Sequence, residues 1–382
     1  MNRSIPHNNC TGCGLCREVC PRKCIQMVEN TEGFLYPKVN DDFCIKCSLC
    51  EKMCPEGKND LKYRVDKVYA AKSKNENRLQ NSTSGGIFGE FALKTIQAGG
   101  TVYGAAYMSC DSIKHIRIDN AKDLSKLNGS KYVQSQVFQV FENVKEDLEN
   151  KRSVLFSGTG CQIAALRGYL RKQYDLLTCV EVVCHGVPAP GVFREYIKWL
   201  ADKCGEPVIS YQFRSKYTRP TGEHSVFSWT TRTGKKTGYA YEDPFYGSFL
   251  NGTILRKSCY NCNYKGEYRT GDITLGDFWG VEKTGIKLDS NHGLSLVMLN
   301  SENGITAFKS IRNEIDYCES DFESAVHCNP SIKNSANCNL RKIIDCKSPE
   351  LFSSDLVVKC TLKNKIKSRM PWYLKKVLKR IL

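Results

Sequence analysis

Two runs of cysteine share one spacing. Cys10, Cys13, Cys16 and Cys20, followed by Pro21, read C-x2-C-x2-C-x3-C-P, and Cys44, Cys47, Cys50 and Cys54, followed by Pro55, repeat it. Thiolates so spaced do iron–sulfur chemistry. The first three wrap one face of a cluster, while the fourth, carried off by a short helix, reaches the other cluster of the pair. The expected ligand sets are Cys10, Cys13, Cys16 and Cys54 for one [4Fe-4S] cluster, and Cys44, Cys47, Cys50 and Cys20 for a second. The competing chemistry, structural zinc, usually draws its thiolates from two separated C-x2-C knuckles. Gly12, Gly14 and Ser48 stand among the ligands, where small residues let backbone N–H groups approach cluster sulfurs. Cys24 lies outside the pattern and is expected to be a buried thiol.

Further along, Cys161 follows a glycine turn, Cys184 precedes His185-Gly186, and Cys259 and Cys262 form a C-x2-C pair. A pair plus two singles completes a four-thiolate site if strand ends converge; otherwise these are buried free thiols. Two turns have the composition of phosphate cradles, Ser82-Thr83-Ser84-Gly85-Gly86 and Ser157-Gly158-Thr159-Gly160-Cys161. Glycines and hydroxyls at a helix start leave N–H groups free for an anion. The same residues are ordinary N-caps. His185 is a candidate proton donor, with a structural hydrogen-bonding role as the alternative. Arg214, Arg219, Arg232 and Arg269 could meet an anion, but nothing in the sequence selects any of them.

Elements to position these residues are legible in the hydrophobic pattern. Glu32 to Pro37 reads as a turn and short strand between the cysteine runs, and Gly57 to Lys62 as a linker. Strands are expected at Val68–Ala71, Thr101–Met108, Ile113–Ile118, Ser153–Ser157 and Leu176–Val183. Helices are expected at Gly85–Ala98, Val137–Asn150, Gln162–Arg171 and Val192–Lys203. Alternation of this kind argues for an α/β or α+β domain.

At 382 residues the chain exceeds a lone ferredoxin, and 41% hydrophobic residues suffice for a sizeable core. Its 21 cysteines are grouped as metal ligands rather than as a secreted disulfide framework, and no apolar leader precedes Cys10. A cytoplasmic location is expected. The formal charge of +16 invites a nucleic-acid partner, yet the basic residues are dispersed and no recognition module is present, so none is expected.

The strings STSGG (82–86), GSKYVQS (129–135), GTGCQIAALR (158–167), VCHGVP (183–188), DITLGDFWG (272–280) and NPSIKNSANCN (329–339) resemble, in order, the beta subunit of coenzyme F-420 hydrogenase and dehydrogenase. The resemblance implies an α+β chain in three parts. These are a bacterial-type 2[4Fe-4S] ferredoxin module (1–60), a larger mixed α/β domain binding FAD (61–345) and a basic tail (346–382). It implies an oxidoreductase passing electrons between clusters, FAD and a two-electron carrier such as the deazaflavin coenzyme F-420 or another small molecule. Ser84, Gly85, Gly86, Gly158 and Thr159 become the flavin candidates, and Cys161, Cys184, Cys259 and Cys262 candidates for a third cluster. Two departures stand out: Gly160 occupies a position where the family often has Pro, and two complete ferredoxin runs suggest a longer electron path than the hydrogenase subunit needs. The competing role is a non-catalytic subunit relaying electrons to a redox partner protein or ferredoxin.

The tail lies beyond the resemblance. As a helix, Trp372 to Leu382 would set Leu374, Val377, Leu378 and Ile381 on one face and Lys375, Lys376, Lys379 and Arg380 on the other. That pattern suits a peripheral contact with the inner membrane face, or docking of the apolar stripe on protein.

Overall fold

The computed structural model describes residues 9–56, 62–216 and 226–356, together with 366, 370 and 374. Trp372 to Leu382, except Leu374, lies outside the described residues, as does most of the expected linker.

The amino-terminal region carries a hairpin of β1 (Ile25–Glu29) and β2 (Leu35–Val39), paired from Ile25↔Val39 to Glu29↔Leu35, and two four-residue helices, α1 (Leu15–Glu18) and α2 (Leu49–Lys52). The larger body is built on an eight-stranded sheet. Its strands are β3 (Lys67–Ser73), β4 (Thr101–Ser109), β5 (Ser112–Ile118), β6 (Val154–Gly158), β7 (Leu177–Val182), β8 (Ile273–Asp277), β9 (Ser295–Leu299) and β10 (Ile315–Ser320). They lie in the order β10-β3-β9-β8-β7-β6-β4-β5. The central run β8, β7, β6 and β4 is parallel, and antiparallel neighbours close both sides.

Side-chain alternation explains the layering. Val102, Leu155, Val180 and Val297 face helix α3 (Ile87–Gln97) and the helix Glu302–Ile311, while Tyr103, Phe156 and Cys179 face helix α4 (Gly160–Leu170) and the helix Phe141–Glu149. A sheet covered on both faces needs apolar residues on both, and β9, buried at all five positions, supplies them. The strands β8, β9 and β10 have no counterpart among the expected elements. Neither has a three-stranded sheet (Ser210–Gln212, Val226–Thr231, Gly234–Tyr239) beside an aromatic core of Phe193, Tyr196, Phe213, Phe245 and Tyr246.

The boundary expected at residue 345 falls inside this packing, since Cys346, Leu351, Phe352 and Leu356 are buried in the aromatic core. The cysteine-rich region is likewise built into the body. Leu15 is fully buried among Phe141, Val144 and Leu166, and Phe34 joins the aromatic core. Arg194 grips Glu29 at 2.8 and 2.9 Å, and Arg341 grips Glu32 at 2.7 and 2.8 Å.

Candidate functional site

Both cysteine runs take one backbone shape. Gly12 and Gly14 have φ of 69° and 76°, and Lys46 and Ser48, at the matching places of the second run, have 56° and 57°. Left-handed residues so placed turn successive N–H groups into a concave, anion-holding arrangement. That backbone costs a side chain roughly 1–2 kcal/mol, so the residue choice has a reason. At Gly12 a Cβ would lie 2.7 Å from the Arg256 guanidinium carbon, and at Gly14 2.5 Å from Phe138 Cβ. The first run is pressed against the body and admits only glycine, whereas Lys46 and Cys47 are exposed.

The helices α1 and α2 then carry the fourth cysteines across. Cys20 lines one cavity with Cys44, Cys47 and Cys50, and Cys54 stands within electrostatic reach of Cys10, Cys13 and Cys16. Cys24 is buried, its sulfur 3.4 Å from that of Cys20. Burial pushes the Cys54 thiol up to about 12 and raises Cys13 and Cys16 as well. Such thiols are protonated at neutral pH, and a bound metal must displace their protons.

A second thiol set gathers at the sheet's carboxyl edge, where ligands of open α/β sheets bind. Cys184 follows β7, Cys161 opens α4 after the adjacent β6, and the turn Lys257–Asn261 brings Cys259 and then Cys262. All four line one cavity. Among the described residues no three His, Cys, Asp or Glu side chains converge tightly enough for a single metal ion; the thiols ring a space instead. Burial raises all four pKa values, Cys259 to about 12. Gly186 permits the closure, since a Cβ there would meet Leu255 at 2.6 Å and Cys259 at 3.2 Å. Gly160 leaves no room for a Cβ, with Glu181 Oε1 and Tyr264 Cβ each 2.8 Å away.

The two glycine turns share this edge but stand four strands apart, β3 to β6, about 19 Å at normal strand spacing. Much of their bonding capacity serves the fold. Ser84 donates its hydroxyl to the Leu294 carbonyl at 2.8 Å, and the Gly85 N–H donates to Ser295 Oγ at 2.9 Å. Gly86, with φ of 80°, starts α3. Thr159 and Gln162 form a reciprocal capping box on α4, with the Thr159 N–H donating to Gln162 Oε1 at 3.0 Å, and Gly158 packs against Gln162.

Cations flank the first turn, where Ser130 Oγ meets Thr83 Oγ1 at 3.2 Å. Lys131 donates to the carbonyls of Leu127, Asn128 and Gly129 at 3.1, 2.8 and 3.3 Å. Lys216 donates to those of Leu79, Ser84 and His292 at 2.6, 3.4 and 2.9 Å. Burial drives Lys131 down to about 7 and Lys216 to about 8. Arg214 and Arg269 are spoken for by Asp277 at 2.6 Å and Glu181 at 2.5 Å, Arg232 is exposed, and Arg219 is outside the described residues.

His185 lies on the rim of the four-thiol cavity, edge-on to Phe249 with ring centroids 5.4 Å apart. Burial lowers its pKa, so the ring is neutral, and its Nε2 finds no partner among the described residues. The cavity wall also holds residues that spacing does not mark. Glu56 accepts from Asn9, Asn263 and Tyr264 at 2.9 to 3.0 Å, and Lys265 donates to the Cys184 and Ser331 carbonyls. Lys131 sits within GSKYVQS and could have been singled out there; Glu56 and Lys265 carry no such signal.

Residues 9–58 match the 4Fe-4S dicluster domain, and residues 151–324 match the C terminus of the coenzyme F420 hydrogenase/dehydrogenase beta subunit. Among curated proteins nothing matches. A solved chain of the xenon-derivatised F420-reducing [NiFe] hydrogenase complex from Methanosarcina barkeri is similar at 16% identity, over 68% of this chain and 83% of that one, with a TM-score of 0.47. The first match spans both cysteine runs, and the second spans Cys161, Cys184, Cys259 and Cys262. The chain thus joins a 4Fe-4S dicluster domain to a region similar to the C terminus of the coenzyme F420 hydrogenase/dehydrogenase beta subunit.

Proposed function

We propose that this protein is an iron–sulfur flavoprotein oxidoreductase with a substrate site of its own. One cluster would be held by Cys10, Cys13, Cys16 and Cys54, a second by Cys44, Cys47, Cys50 and Cys20, and a third by Cys161, Cys184, Cys259 and Cys262. The observation that carries the reading is the shared wall between thiol sets. Asn9, Thr11 and Glu56, neighbours of the first run, line the same cavity as the four later cysteines. Cys47 is exposed, which suits electron entry at the second-run cluster from a redox partner.

FAD, when bound, supplies the junction between one-electron clusters and two-electron substrates. Ser84, Gly85, Gly86, Gly158 and Thr159 would shape its site, and the buried Lys131 and Lys216 supply positive charge that an anionic cofactor neutralises. His185, at the rim of the thiol cavity, would be the proton donor, first taking up the proton it passes on because its resting ring is neutral. Its partners would be a redox protein or ferredoxin and a small-molecule donor or acceptor of the F-420 kind.

Anaerobic purification with iron, sulfide and flavin analysis, followed by a screen of reduced ferredoxin, nicotinamides and deazaflavin, tests the reading. Turnover of a small molecule by the isolated chain is expected. Stoichiometric zinc without acid-labile sulfide would overturn it, and reduction only in the presence of a tightly copurifying enzyme would establish the relay role instead. Among the described residues no helix is long and apolar enough to cross a membrane; the basic tail would make a peripheral contact.

A further inference from the structure

The largest fully buried side chain belongs to Arg256. Its guanidinium is satisfied almost wholly by neutral groups. Nε donates to the Cys10 carbonyl at 2.7 Å, Nη1 to Gln134 Oε1 at 3.0 Å, and Nη2 to the Leu35 carbonyl at 2.9 Å. Phe34 and Tyr36 lie beneath it, with ring centroids 5.2 and 4.2 Å from the guanidinium carbon. Its remaining neighbour is Cys10 Sγ, 3.9 Å from Nη2. The surroundings are arranged to keep it there. Gly12 leaves the space the guanidinium fills, and Gln134 is itself held by donating to the Thr11 carbonyl at 2.8 Å.

A buried cation is costly unless a negative charge compensates it. None of the ion pairs formed by the described residues includes Arg256, so the anion that suits it is the Cys10 sulfur as a cluster ligand, 3.9 Å from Nη2. Net charge and hydrogen bonds at the sulfurs are principal levers on cluster potential. The cavity holding Cys20, Cys44, Cys47 and Cys50 includes Arg22, which is exposed to solvent.

Building on the cluster assignment above, we propose that Arg256 is a positioning residue that raises the reduction potential of the cluster at Cys10, Cys13, Cys16 and Cys54 above that of the outer one. Reduction adds one electron and hence one negative charge, which the guanidinium offsets at short range. No bond forms or breaks and no proton moves. The electron comes from a low-potential one-electron donor.

The test is a potentiometric titration of the anaerobically reconstituted full chain with dithionite, followed by EPR. Cys47→Ser identifies the outer cluster's signal, and iron and sulfide counts are taken for every variant. In Arg256→Gln the reduced-to-oxidised ratio of the inner cluster at fixed potential should fall at least tenfold, equivalent to about 59 mV for one electron. Arg256→Lys should restore part of the loss, and the outer cluster should not move. Should Arg256→Gln fail to fold, Gln134→Glu places a carboxylate on the guanidinium and is expected to shift the inner cluster the same way. An inner potential unchanged in the folded variants, with iron at the wild-type count, overturns the role of Arg256. A wild-type protein that lacks the clusters fails the earlier assignment instead.

Discussion

At the scale of single residues, the sharpest demand falls on the cysteines that change sides. Cys20 belongs to the first run in sequence but lines the cavity of the second, beside Cys44, Cys47 and Cys50. Replacing it with Ala should therefore remove about four irons and the outer cluster's EPR signal, while the signal of the inner cluster persists. Loss of the inner signal alone would contradict the crossover. Lys131 makes a second demand. Its pKa, lowered by burial to about 7 from an ordinary lysine value, means that the unfolded chain binds more protons than the folded one above that pH. Stability of the flavin-free protein should therefore rise with pH from about 7 towards about 10. Lys131→Met should flatten that slope, raise Tm at pH 7 by a few degrees and weaken flavin retention. Thermal melts at several pH values and a flavin count check all three outcomes.

Elements act here by placing turns where backbones meet. Gly85 stands in a turn with the composition of a phosphate cradle, and the structure gives it a packing duty as well. A Cβ there would fall 2.4 Å from the Ala71 carbonyl oxygen and 2.7 Å from the Ser295 amide, on two strands of the central sheet. Backbone in a sheet cannot yield as a flexible side chain does. Gly85→Ala should destabilise the protein by about 1–3 kcal/mol, more than Gly99→Ala, whose φ is 77° but whose Cβ meets nothing within 4 Å. Equal denaturation midpoints for the two variants would show that the contact is not decisive. Similar constraints govern α4, where Thr159 and Gln162 cap the helix that presents Cys161. The hydroxyl whose setting suits phosphate is engaged in fixing a thiol.

At the scale of the molecule, the described residues pack the cysteine-rich region directly onto the larger body. Phe34 and Leu15 from the cysteine-rich region enter cores formed mainly by the larger body, and Cys346 to Leu356 closes one of them. At this scale the formal charge of +16 also matters. Anionic clusters and a nucleotide cofactor would reduce it, but the basic tail would remain a local attraction for anionic lipid. Eleven residues make a marginal helix alone, so attachment should be weak and reversible. The full chain should sediment with anionic vesicles at low salt and be released by salt or by truncation after Ser368, with iron content intact. Absence of sedimentation at low salt would end the membrane reading.

The sequence by itself determined the two cysteine runs, their duplication and the local elements from Val68 to Lys203, because cysteine spacing and hydrophobic period are short-range properties. It could not determine which distant residues share a wall. Cys161 and Cys184 meet only because β6 and β7 are adjacent and parallel, and Cys259 and Cys262 arrive from a turn far along the chain. Arg256 carries no spacing signal at all, and its bond to the Cys10 carbonyl joins residues 246 positions apart. The glycine turns were legible as helix starts, but whether their donors were free depended on neighbours such as Ser295 and Leu294. Strand pairing, burial and the distribution of spare hydrogen bonds are long-range outcomes, decided when the sheet closes.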